Sequence, residues 1–173
     1  MTGVRAIVRT PRPEDATQVG EAHASAWEEG YCALFAPEAL TELADARRGL
    51  WTHIFADPGF DFESMLVVER AGEVVAYSHF GDSHENEGQG EVFGFYAHPM
   101  AWGTGVSGLL MEASLARLRR RSLSDVVLWT LVGAGRARAF YEKCGFTLSG
   151  RERTGTVSPT GSEVSEIEYS STL

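Results

Sequence analysis

The sequence predicts a mixed α/β fold of the α+β kind: a central, mostly antiparallel sheet with one parallel crossover and helices on both faces. Three observations carry this expectation. Strand-like and helix-like patterns follow one another along all 173 residues, in the order strand, two helices, three strands, helix, strand, helix, two strands. Ala71-Gly72 joins two apolar runs through a tight turn, which makes those strands antiparallel neighbours. The strand at Glu91–His98 is followed by a helix and then by a near-continuous apolar strand, an arrangement that needs a crossover.

In chain order, Arg5–Arg9 is a short first strand closed by Pro11 and Pro13. Pro13-Glu14-Asp15 suits a first helical turn, with proline early and acids facing the positive end of the dipole. Ala16, Val19, Ala22, Ala26 and Trp27 recur at helical spacing, so this helix runs to about Gly30. A second helical region follows Pro37, carrying Leu40, Leu43, Leu50, Trp51, Ile54 and Phe55, with Gly49 as a point where it can divide. Asp57-Pro58-Gly59 is a turn, and Ser64–Arg70 with Glu73–Phe80 forms the hairpin. A polar loop at 81–90 leads to the central strand. Asp125–Val132 is the interior strand, Arg136–Cys144 a short helix ended by Gly145, and Phe146–Arg153 with Glu163–Leu173 a final strand pair. The absence of repeats or linkers makes 1–173 a single expected domain.

The stretch Glu91–Arg121 organises the rest. Val92, Phe93, Phe95 and Tyr96 favour a strand, Pro99 ends its ladder, and from Val106 a broad apolar helical face begins. Between them lies Trp102-Gly103-Thr104-Gly105-Val106-Ser107, with Gly108 one step into the helix. A helix start offers unpaired N–H groups and positive potential, and glycine lets the backbone approach a ligand, so a phosphate or pyrophosphate is its natural guest. The turn lacks the Lys-Ser or Lys-Thr of a Walker A loop. Its glycines fit the letters of a dinucleotide fingerprint, but the turn lies past mid-chain, and Asp125 precedes the next strand instead of ending it.

Composition narrows the function classes. Hydrophobic content of 43% and charged content of 23% are those of a water-soluble globular protein. No apolar run approaches bilayer length and no charged-then-apolar leader begins at Met1, so no membrane association is expected. Cys32 and Cys144 are too few for a disulfide framework, and a cytoplasmic location is the default expectation. Residues 1–100 carry six Arg against 17 acids, whereas residues 101–173 carry nine Lys and Arg against seven. An acidic first half argues against nucleic acid, whose phosphates need a basic footprint. It leaves two readings: a solvating surface, or an anionic ligand in the second half with a cationic partner approaching the first.

Three segments resemble the GNAT superfamily of acyl-CoA-dependent N-acetyltransferases, and the likeness covers nearly the whole chain. Tyr96–Val106 is similar to the family's acetyl-CoA pyrophosphate loop. Leu128–Leu131 followed by Arg136–Phe146 (RARAFYEKCGF) is similar to its second motif, and Ser25–Tyr31 with Pro37-Glu38 and Trp51 to the first helices of many bacterial members. Trp102 and Ser107 depart from the first and last residues of the usual loop, and Ala134 stands where many relatives carry an asparagine near the pantetheine arm.

The resemblance implies transfer of an acetyl group from acetyl-CoA, as co-substrate, to a primary amine of a small molecule or peptide by direct attack on the thioester. The residues it assigns to acetyl-CoA are Phe95, Tyr96 and Ala97 on the strand, Trp102, Gly103 and Thr104 in the turn, Gly105, Val106 and Ser107 at the helix start, and Arg138 beyond. Tyr141 matches the tyrosine near the CoA sulfur and is the expected proton donor, with core packing as its other reading. Glu91 is the candidate base, directly or through water; the competing reading is an exposed strand-end acid. His79 and His98 are weaker candidates, and Cys144 reads as structural. Trp27, Tyr31 and Phe35 are expected near the acceptor, although Trp27 also suits the core. Arg136 and Lys143 share the helix of Arg138 and can meet phosphates. No metal is expected, since no ligand spacing is present. Pairing into a homodimer through the last strands is compatible with the resemblance. Two other functions remain open at this point: an acyl-CoA-binding sensor without turnover, and a structural subunit that binds nothing.

Overall fold

The computed structural model describes residues 5–173; Met1, where the leader was sought, lies outside them. Seven strands form one sheet in the order β1-β2-β3-β4-β5-β7-β6. These are β1 Ala6–Arg9, β2 Met65–Arg70, β3 Glu73–Asp82, β4 Gln89–Ala97, β5 Asp125–Leu131, β6 Thr147–Val157 and β7 Ser162–Thr172. The helices are α1 Ala16–Gly30, α2 Pro37–Ala56, α3 Val106–Arg119 and α4 Gly135–Lys143. The β4–β5 pair is parallel and every other pair is antiparallel, in agreement with the crossover read from the sequence.

Strand alternation divides the core between two faces. Leu66, Val68, Phe80 and Val92 pack toward α3, where Leu110, Met111 and Leu118 meet them. Met65, Val67 and Tyr77 point the other way, against Val19 of α1 and Trp51 and Phe55 of α2. Consecutive buried residues at Met65–Val68 follow from this double coverage. A strand with helices on both faces cannot alternate apolar with polar.

α2 runs unbroken through Gly49, so the division allowed by the sequence does not occur. A mid-helix glycine costs about 1 kcal/mol. Burial of Leu43 and Ala44 before it and Trp51 and Phe55 after it outweighs that cost. Gly20 sets how closely α1 approaches α2, because a Cβ there would stand 2.2 Å from the carbonyl oxygen of Arg48. At the other end, β7 enters the sheet between β5 and β6, and β6 forms the edge. None of the helices among the described residues is long and apolar enough to cross a membrane.

Gly20→Ala is expected to force α1 and α2 apart and to destabilise the protein by about 1–3 kcal/mol. Urea unfolding monitored by tryptophan fluorescence measures this, with the slope unchanged and the midpoint lowered.

Candidate active site

β4 and β5 run side by side only from Gln89, opposite Asp125, to Val92, opposite Leu128. β4 then continues to Ala97 and β5 to Leu131 without pairing. The register against β3 shifts at the same place: His79 opposes Gly94 and Phe80 opposes Val92, so Phe93 is the extra residue of a bulge. The two strands therefore part, and main-chain groups along the gap have no ladder partner. A cleft of about 510 Å³ opens there. Val92–Ala97 and Leu128–Leu131 form its walls, α1 contributes Trp27 and Tyr31, and α4 contributes Phe140 and Tyr141.

The glycine turn lies at one end of this cleft. Gly103 and Gly105 have φ of 72° and 86°, and a Cβ built on either meets nothing within 4 Å. The left-handed backbone explains the glycines, and the open space in front of them is a cradle for a ligand. The first helical bond of α3 runs from Leu109 N–H to the Gly105 carbonyl, 3.2 Å. The N–H groups of Val106, Ser107 and Gly108 are thus left without intrahelical acceptors, and no side chain caps them. Such a site fits the pyrophosphate of a nucleotide-bearing cofactor.

The remaining expected residues divide into those facing the cleft and those turned away. Trp102 lines it: its indole N–H donates to Ala97 O at 2.8 Å, and the Arg136 guanidinium sits 4.0 Å from the ring centroid. Arg136 and Lys143 line the cleft as well. Arg138 does not. It donates to the Tyr169 hydroxyl at 3.2 Å and to Val132 O at 2.9 Å, tying α4 to β7 and to the residue that follows β5. Thr104 donates its hydroxyl to Ala101 O, and Val106 is buried in the core, so these two offer the turn only main chain. Phe35 stacks on Trp27, with centroids 5.9 Å apart, without itself lining the cleft. His98 caps the turn at Pro99 by accepting from Met100 N–H, and His79 packs among Trp51, Phe60 and Phe93.

Tyr141 is 7% exposed and lines the cleft, and its hydroxyl makes no hydrogen bond among the described residues. Burial pushes that hydroxyl well above the usual tyrosine range. Glu91 lies one residue outside the cleft-lining part of β4. Its carboxylate accepts from the Ser83 hydroxyl at 3.3 Å, and burial raises its pKa.

Behind the cleft wall, the imidazole of His23 is enclosed by aromatic rings. Trp51 Nε1 donates to His23 Nδ1 at 3.2 Å, the Tyr77 hydroxyl reaches the same atom at 3.0 Å, and the Tyr96 ring stacks at 4.3 Å. Two donors on Nδ1 place the ring proton on Nε2. Burial first, and the Arg47 charge second, hold the imidazole neutral with its pKa lowered to about 3.

Sequence reasoning missed three cleft-side groups. Trp129 sits in an apolar strand and reads as core, Glu166 is one acid of an alternating polar strand, and Arg47 is one of two adjacent helical arginines. Only pairing across β5, β7 and β6 brings the first two together, a long-range fact with no local signal.

A family model described as the acetyltransferase (GNAT) family matches residues 22–146. The chain belongs to the GNAT acetyltransferase family. Among its curated relatives, a mycothiol acetyltransferase of Streptomyces bingchenggensis is 35% identical over 146 residues, 81% of this chain and 42% of that one. The probable N-acetyltransferase Rv2775 of Mycobacterium tuberculosis is 24% identical over 149 residues, 85% of this chain and 83% of that one. The GNAT chain spans less than half the length of the mycothiol acetyltransferases it matches. PaiA N-acetyltransferase from Thermoplasma acidophilum, solved in complex with coenzyme A, shares the fold with a TM-score of 0.75 at 12% identity, covering 98% of this chain and 99% of that one. The protein yncA from Salmonella typhimurium, solved with acetyl-CoA, gives a TM-score of 0.65 at 19% identity, covering 98% of this chain and 94% of that one.

For the GNAT core, the neutral His23 predicts a pH dependence of stability. Its folded-state pKa lies below the unfolded value near 6.5, so the unfolded chain takes up the proton first, and stability present above pH 6.5 is lost as pH falls. Between pH 7 and pH 5 the loss is about 2 kcal/mol from this one group. His23→Asn keeps an acceptor for Trp51 and Tyr77 and is expected to flatten the curve over that window. His79, lowered by burial, and Glu91, raised by it, are present in both proteins, so the difference between denaturation curves isolates His23.

Proposed function

We propose that this protein transfers an acetyl group from acetyl-CoA to a primary amine by direct attack of the amine on the thioester. The observation that carries the reading is the parting of β4 from β5 directly in front of the uncapped N-terminus of α3. One arrangement supplies both an anion cradle and a channel lined by unpaired main chain. In this reading acetyl-CoA, when bound, supplies an activated acetyl thioester. The N–H groups of Val106, Ser107 and Gly108 hold its pyrophosphate, and Arg136 and Lys143 lie on the helix beside it. Phe95–Ala97, whose main chain on the β5 side has no ladder partner, would hold the pantetheine arm when acetyl-CoA is bound, and a free N–H of that strand would stabilise the charge that gathers on the carbonyl oxygen.

An alkyl ammonium has a pKa of about 10 and must lose a proton before it attacks. Glu91 takes it through water, because the carboxylate stands beside the cleft and not in it, and partial burial raises its proton affinity. Tyr141 points an unengaged, protonated hydroxyl into the cleft. Full proton transfer from so weak an acid to a thiolate of pKa near 8.5 is uphill. Tyr141 therefore acts chiefly by hydrogen bonding to sulfur as the charge develops, which refines the plain proton-donor role. The mycothiol acetyltransferases among the relatives support a small-molecule amine over a peptide as acceptor.

Gly105→Val places a branched side chain in a left-handed position and in the cradle, at a cost of about 1–3 kcal/mol to the apo protein. The apo fold is expected to persist by circular dichroism, while the rise in Tm caused by acetyl-CoA disappears. An unchanged rise would overturn the placement. Tyr141→Phe keeps the ring and removes the hydroxyl. Thiol release with an amine panel is expected to show kcat lower by roughly 10²–10³-fold at retained acetyl-CoA affinity. Acetyl-CoA binding with no amine turned over by the wild type would instead favour the sensor function.

A further inference from the structure

Along the cleft, the charged groups are segregated. Arg136 and Lys143 come from α4, beside the glycine turn; Glu166, from β7, is the one carboxylate that lines the cleft among the described residues. Its position is fixed by register. Glu166 pairs with Leu131 of β5 on one side and with Arg153 of β6 on the other, and the next residue, Ile167, is buried in the core under α3. Alternation along β7 therefore turns Glu166 to the opposite face, toward α1. Trp27, Tyr31 and Val157 line the cleft there with it.

One carboxylate oxygen, Oε2, accepts from Arg153 Nε at 2.6 Å. Oε1 accepts no hydrogen bond among the described residues. Arg153 itself is held from behind: its guanidinium lies 4.2 Å from the Trp129 ring centroid and 3.9 Å from Glu85. The arginine thus fixes the carboxylate and leaves one face of it open. The other cations nearby are committed. Arg151 pairs with Glu168 and Glu85, while Arg47 lies over the Trp27 ring and donates to Leu43 O and Ser158 O. The wall opposite is aromatic: Trp27, 5% exposed with its indole N–H beside the Tyr96 hydroxyl, and Tyr31 line it. The end of the cleft is apolar and aromatic in its walls with a fixed free carboxylate oxygen, and an ammonium, which donates to the carboxylate and rests against aromatic faces, completes such a set.

We propose that Glu166 is the acceptor-recognition residue, receiving the ammonium of the incoming amine on Oε1 and holding it in the cleft until its proton passes to the base. This assignment rests on the amine-acetylation reading above. It gives the recognised class a definite chemistry: a primary ammonium on an apolar or aromatic stem, bound as the cation and released to react as the free amine. Glu91 and Glu166 then have separate tasks, proton removal and binding.

The test uses 2-phenylethylamine and its uncharged counterpart 2-phenylethanol as probes, with wild type, Glu166→Gln, Glu166→Asp and Arg153→Gln. With saturating CoA present, the amine is expected to raise the Tm of wild type more than the alcohol does, and Glu166→Gln to abolish that difference. In turnover, Glu166→Gln is expected to raise KM for the amine about 10–100-fold with kcat changed less than about threefold, the signature of lost uniform binding. Glu166→Asp is expected to recover part of the affinity. Arg153→Gln separates binding from a merely structural cross-strand pair. A structural role makes it match Glu166→Gln in KM, whereas recognition predicts a clearly smaller KM increase, since the carboxylate keeps its charge for the ammonium although it loses the arginine that fixes it. Equal amine shifts in wild type and Glu166→Gln, or matching KM increases in Glu166→Gln and Arg153→Gln, would overturn the assignment. If no amine is turned over by wild type, the acetylation reading fails, and the amine-minus-alcohol shift still decides whether Glu166 binds the cation.

Discussion

The short parallel pairing of β4 with β5 is the constraint on which the rest of the structure depends. Four residue pairs, from Gln89 with Asp125 to Val92 with Leu128, fasten the two halves of the sheet. Were the ladder longer, the sheet would be closed and the glycine turn would face a wall. Were it absent, the two halves would have no common frame. The bulge at Phe93 ends the match at the point where α3 must begin to present its N-terminus, so strand geometry and helix placement are one device.

Electrostatics follow from the same frame. The two faces of the sheet are dry, and the polar groups that remain inside are satisfied locally: Glu168 by Arg151, Asp15 by Arg9 and the Arg12 N–H, His23 by Trp51 and Tyr77. At the cleft the Tyr141 hydroxyl and the first N–H groups of α3 lack such partners among the described residues, while the Ser78 hydroxyl lacks one within the buried sheet away from it. In a protein whose buried polar groups are nearly all paired, that concentration marks where a ligand completes the structure.

Much of the architecture was legible in the sequence because its signals are local. The hairpin at Ala71-Gly72, the proline-led α2 and the cap at Gly145 depend on backbone preferences of a few residues, and their boundaries fell within a few positions. Gly103 and Gly105 were legible for the same reason: a left-handed turn before a helix demands them. Arg138 turns to β7 and not to the cleft, which helical spacing does not reveal, because the Tyr169 hydroxyl decides which face of the nine-residue helix meets that strand. Glu91 sits in the strand as expected, yet only the point of strand separation shows that Val92, and not Glu91, is the first residue inside the cleft. Glu166 was invisible because its meaning comes from Leu131 and Arg153, 35 and 13 positions away in the chain.

The strand order has a consequence in time. β7 fills the slot between β5 and β6, so the sheet cannot be finished in the order in which it is synthesised. A nascent chain ending after α4 exposes the whole side of β5, with Val126, Val127 and Leu128, as an unpaired apolar edge. During that interval the protein is open to strand addition by other chains, and the hairpin that closes the edge is the same one that brings Glu166 to the cleft. Protection from aggregation and completion of the binding surface arrive in a single docking event.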